Sequence, residues 1–132
     1  MSASATSDGI GASASQLLMR DRVAVAHAVT AGLYAATPAL LERHGELGRQ
    51  KCLKDMHYNI DHLMAALEFG DAALFARYVE WLVDLLHVRH VDTRDVTRSL
   101  ELLRNECNER FPRPEADAIG SILQAGLDVM AT

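Results

Sequence analysis

Apolar positions recur at helical spacing along most of this chain, and nowhere do they alternate as a convincing strand would. Over 16–36, Leu17, Val25, Ala28, Val29 and Leu33 gather largely on one side of a helical wheel, with Ser15 as the expected cap. Thr37-Pro38 then restarts the helix, with Thr as cap and Pro where no backbone donor is needed. That short segment carries Leu40 and Leu41 and is expected to stop at Gly45. The longest predicted helix covers 46–69, about 36 Å at 1.5 Å per residue. Leu53, Met56, Ile60, Leu63, Met64 and Leu67 share one arc of it, while Tyr58, His62, Ala65, Ala66 and Phe69 stand on the other side. Gly70 ends that helix and Asp71 caps the next, over 72–89. Its apolar arc is wide, running through Leu74, Phe75, Tyr78, Val79, Trp81, Leu82, Leu85, Leu86 and Val88. Trp81 is therefore expected in the core between the two central helices. Asp92 or Thr93 caps a helix over 94–110 with Val96, Leu100, Leu103 and Cys107 inward; Pro112 and Pro114 break it. The last predicted helix, 115–130, carries Ile119, Ile122, Leu123, Leu127 and Met130.

Residues 1–14 are small and polar with no periodic apolar face, which predicts a disordered tail ahead of a single helical domain over 15–132. The expected fold class is all-α: a compact helical bundle of five major helices plus one short helix. A globin shares that length and helix count.

Composition narrows the function classes. At 132 residues the chain is one domain that can hold a core unaided. Thirteen Lys and Arg against eighteen Asp and Glu leave a net charge of −5, which argues against a nucleic-acid surface. No apolar run approaches the roughly 20 residues that cross a bilayer, so no membrane partner is expected. The first residues lack the basic-then-apolar order of a secretory signal. Cys52 and Cys107 lack paired metal-site spacing and are read as reduced, buried thiols. A cytoplasmic setting is the expectation.

Candidate chemistry rests on histidines. Six are present, and His57 with Asp61 has the i,i+4 spacing that puts both side chains on one helix face. With His62 they would be the ligands in a haem- or transition-metal-binding reading, although a closed zinc site wants about four ligands. Nucleophilic catalysis finds no support. Cys52 and His57 point in different directions on a helix, and neither Gly-x-Ser-x-Gly nor a phosphate loop occurs. Tyr78 and Trp81 are amphipathic aromatics that can bury a ring while offering a polar atom.

One stretch carries a resemblance. Gly48-Arg49-Gln50-Lys51-Cys52-Leu53-Lys54-Asp55, then Tyr58-Asn59-Ile60, leads to Leu74-Phe75 and Tyr78-Val79-Glu80-Trp81-Leu82. It resembles a helical region of bacterial regulatory proteins, sometimes linked to cobalamin-binding domains, over 48–89. The region there reads G-R-x-K-C-x-x-D-x-x-Y-H, then L-F-x-x-Y-V-x-W, and Asn59 stands here where the histidine is expected. The Asp-x-His-x-x-Gly cobalamin loop and its parallel sheet are absent from this sequence, so cobalamin binding by this chain alone does not follow.

The expectation from these readings is a non-enzymatic helical regulatory or sensor module without a resident cofactor. It would act through a protein partner or a homodimer, with a small ligand between helices. The second face of the central helix, Tyr58, Ala65, Ala66 and Phe69, would be covered by the first helix or by an identical chain across a two-fold axis. The alternative site is His57, Asp61, His62, Tyr78 and Trp81, holding haem or a metal.

Overall fold

The computed structural model describes residues 3–131 apart from Val91, with side chains from Gly9 onward. Five helices follow in order: α1 (Ala3–Ala36), α2 (Ala39–Phe69), α3 (Ala72–Val88), α4 (Arg94–Arg110) and α5 (Arg113–Ala131). No strand occurs among the described residues. The all-α reading is correct.

The short segment and the long helix meet at Gly45, whose φ of 67° and ψ of −167° interrupt the helix within α2. Only glycine enters that region without strain. Gly70 closes α2 in the left-handed conformation, and the Asp71 carboxylate accepts the Ala73 N–H at 3.0 Å to start α3. Asp92 does the same for α4, accepting from the Arg94 N–H at 2.9 Å. Thr37 departs from its expected role. Its carbonyl, not its side chain, starts the next turn through Leu40, while its hydroxyl takes a hydrogen bond from Arg98 of α4.

The tail expectation needs a larger correction. Helix α1 begins at Ala3, and from Gly11 onward it is part of the packed bundle; Met1 and Ser2 lie outside the described residues. Gly11 and Ala14 are buried and continue a stripe through Leu18, Val25, Val29 and Leu33 at spacings of three, four and seven residues. A Cβ at Gly11 would lie 2.5 Å from the Leu67 carbonyl oxygen, so the absent side chain is what lets two backbones meet. Ser15, expected as a cap, is mid-helix and donates to the Glu68 carboxylate at 2.8 Å. Small residues read as "no core" in a scale of apolar side chains. Here they are the packing surface.

Helix α1 runs antiparallel to α2, tied by Ser15–Glu68 and by Arg22–Asp61 at 2.8 Å. Helix α4 runs antiparallel to α5, with Arg104 donating to Gln124 at 2.6 Å and Thr97 reaching Met130. The core joins these pairs through Leu18, Met56, Ile60, Leu63, Phe75, Leu100, Leu103, Ile119 and Leu123, all at 2 % exposure or below. Among the described residues, helix α3 lies against α5 and α2 and makes no close approach to α1 or α4. That gap positions the site.

Candidate functional site

Where α3 runs past the reach of α4, a cleft of about 740 Å³ opens between α2, α3, the start of α4 and the end of α1. Its volume falls in the range of small-molecule sites. One wall is the second half of α3: Leu82, Leu85 and Leu86, each half-buried with no helix packed over them. The facing wall comes from α2, with Cys52, Asp55, Met56 and Asn59, and the far end is closed by Leu33, Leu40, Asp95 and Ser99. The Gly45 kink swings Leu40 and His44 onto the cleft, so a local backbone feature shapes its rim.

The polar groups are arranged along α2 and α3. Asn59 is 6 % exposed and accepts a hydrogen bond from the Tyr78 hydroxyl; its amide nitrogen meets only the Met56 sulfur, at 3.8 Å. The His62 ring stacks on Tyr78 with centroids 3.9 Å apart and planes 11° apart, and Trp81 follows at 6.2 Å. Burial, then the Asp55 and Asp61 carboxylates, pushes the Tyr78 phenol well above its usual range, so it stays a neutral donor. Burial likewise raises the Cys52 thiol to about 11, with Asp55 and Asp95 adding to the effect. A thiol so raised is protonated and a poor nucleophile near neutral pH. Desolvation in the concave wall also raises the Asp55 carboxyl, against the opposing pull of Lys51, Lys54 and Arg89.

The residues singled out from sequence divide into two groups. His62, Tyr78 and Trp81 come together at the cleft. His57 and Asp61 do not join them. Asp61 is engaged by Arg22 of α1, and His57 shares with Arg22 a shallow hollow of about 430 Å³ on the α1–α2 surface. Burial, then the Arg22 charge, holds the His57 pKa below its usual value, favouring the neutral ring. His57 and His62 are five positions apart, which turns them to different helix faces. Among the described residues no group of three or more His, Cys, Asp or Glu is placed to hold a metal ion.

Trp81 is a second correction: it is 59 % exposed on the cleft rim and not in the core, which Phe75 and Val79 occupy instead. The second face of α2 is divided too. Helix α1 packs along α2 and Ala66 is fully buried, whereas Tyr58 is 50 % and Phe69 76 % exposed. Cys107 is buried as expected and its thiol raised to about 12 by desolvation, while Cys52 is only partly covered and opens on the cleft.

Asn59, Asp55, Asp95 and Ser99 were not singled out from sequence as site residues. The available signal was Asn59, a polar residue lodged between Met56 and Ile60 in an otherwise apolar arc. No protein-family model matches the chain, and no curated protein sequence matches it.

Proposed function

We propose that this chain is a non-enzymatic helical regulatory or sensor module that takes a small ligand in the cleft between α2 and α3 and transmits its occupancy through protein contacts. The observation that carries the reading is the second half of α3. A row of leucines faces an open cavity whose other wall holds a buried amide bonded to a tyrosine. An apolar wall with a few convergent polar groups is the usual construction of a ligand site. The raised thiol of Cys52 argues against its use as a nucleophile near neutral pH. The stretch 48–89, which resembles a helical region of bacterial regulatory proteins, supplies both facing walls. Trp81, Val88 and Phe69, each more than half exposed, offer apolar contact points to a protein partner or a second copy.

A fragment screen read by backbone amide shifts tests this. Binders should shift Asn59, Leu82 and Leu85 together, and Leu86→Arg, which fills the cavity from a half-exposed position, should abolish those shifts while the melting temperature changes little. Hits scattered over the surface, or binding that survives Leu86→Arg, would overturn the assignment.

A further inference from the structure

On the α2 wall of the cleft, Cys52, Asp55, Asn59 and His62 follow at three- and four-residue spacing, so one face of the helix looks into the cavity. Asn59 stands in the middle of that face and alone of the four is buried, at 6 % exposure. Its carboxamide is only half used. Oδ1 accepts from the Tyr78 hydroxyl, whereas Nδ2, with two N–H donors, meets only the Met56 sulfur at 3.8 Å. A thioether is a weak acceptor, so Nδ2 finds no oxygen or nitrogen partner among the described residues. A buried donor left in that state is costly.

The other deep polar groups have spent their hydrogens. Tyr78 donates to Asn59, and Ser99, also 6 % exposed, donates to the Asp95 carbonyl at 2.7 Å. The inner cleft therefore offers an unspent amide donor across from the leucines of α3. Charge gives the cleft no preferred sign. Asp92 is paired with Arg94 at 2.7 Å, and Asp55 and Asp95 are matched by Lys51 and Arg89 in the same lining. Asp95 also lies in the first turn of α4, where the helix dipole favours a carboxylate.

We infer that the cleft selects an uncharged, largely apolar molecule carrying an acceptor oxygen, of the ketone, ester or carboxamide type. The oxygen accepts from Asn59 Nδ2, and the apolar body lies along Leu82, Leu85 and Leu86. A hydrocarbon would leave the amide donor without a partner, and an ammonium group would bring only further donors to it. A carboxylate could accept, but it would have to leave water for a cavity whose cations are already matched.

This inference rests on the cleft being a ligand site, and a set of probes sharing one phenylalkyl body separates the two. The full chain, labelled with nitrogen-15, is titrated near neutral pH with 4-phenylbutan-2-one, butylbenzene, 4-phenylbutylamine and 4-phenylbutanoate. The ketone should bind more tightly than the amine and the carboxylate. It should also move the Asn59 side-chain amide signals downfield where butylbenzene does not, a wild-type readout that needs no variant to fold. Asn59→Leu should weaken the ketone about threefold or more, as for one lost hydrogen bond, and should not weaken butylbenzene. A charged probe that binds best, a ketone that leaves the Asn59 side-chain signals in place, or an Asn59→Leu variant that holds the ketone as tightly overturns the acceptor inference and leaves the cleft a ligand site. Absence of any response to all four overturns both.

Discussion

The two halves of α3 are built from the same kinds of residue and meet opposite fates. Phe75 and Val79, in the first half, are completely buried; Leu82, Leu85 and Leu86 stay half-covered, and Trp81 and Val88 are 59 % and 77 % exposed. Residue type does not explain the difference. The neighbour does. Helix α5 comes unusually close to the first half because Gly126 has no side chain: a Cβ there would lie 2.6 Å from the Phe75 ring and 2.9 Å from Val79. Past that contact α4 does not close on α3, and the apolar surface is left facing a cavity. The first half holds the bundle together, and the second half is free to hold something else.

Truncating the two aromatic residues gives the largest contrast. Phe75→Ala should cost about 3–5 kcal/mol in urea denaturation, the usual loss for a fully buried aromatic. Trp81→Ala, in the same helix, should cost less than about 1 kcal/mol, as for an exposed position. Equal losses would break the comparison. Gly126→Ala should come next, at about 1–3 kcal/mol, because the added methyl must displace Phe75 and Val79. If it proves neutral, α5 approaches α3 less closely than the structure has it.

The smallest effect is chemical and compares the two thiols, one in the cleft and one in the core. Cys52, raised to about 11 and partly open, should be alkylated by iodoacetamide slowly at pH 8 and faster as pH rises toward 11. Cys107, fully buried and raised to about 12, should react only on unfolding. The linked stability has a definite sign. Both thiols favour the neutral form when folded, so their contribution is fully present below the unfolded pKa of about 8.5. It is lost as pH climbs through 11 for Cys52 and 12 for Cys107. Cys107 alkylation at neutral pH in the folded protein would show that the bundle opens locally around α4.

Much of the fold was legible in the sequence because it depends on local rules. Helical periodicity, the positive-φ glycines at 45 and 70, and the side-chain cap at Asp71 act within a few residues of themselves and stand where the pattern put them, and of the two caps open for α4 it is the Asp92 carboxylate that accepts. The buried arc of α2, Met56, Ile60, Leu63, Met64 and Leu67, was also readable, since a face that is apolar along many turns must be covered. Three things were not. Gly11 and Ala14 carry no hydrophobic signal, and their value appears only with the Leu67 backbone against them. Trp81 lies in an apolar arc wider than its neighbours can cover, and which part of such an arc remains open is decided by where α4 and α5 pass. The pairing of Asn59 with Tyr78, and the gathering of Asp55 and Asp95 around one cavity, join residues 19 and 40 positions apart. Local patterns therefore determine that most segments are helices and where α2, α3 and α4 end, but not where α1 begins. Which apolar face is buried, and which is left to line a cleft, is a property of helix-to-helix distance, set by side chains on other elements, and only the tertiary structure decides it.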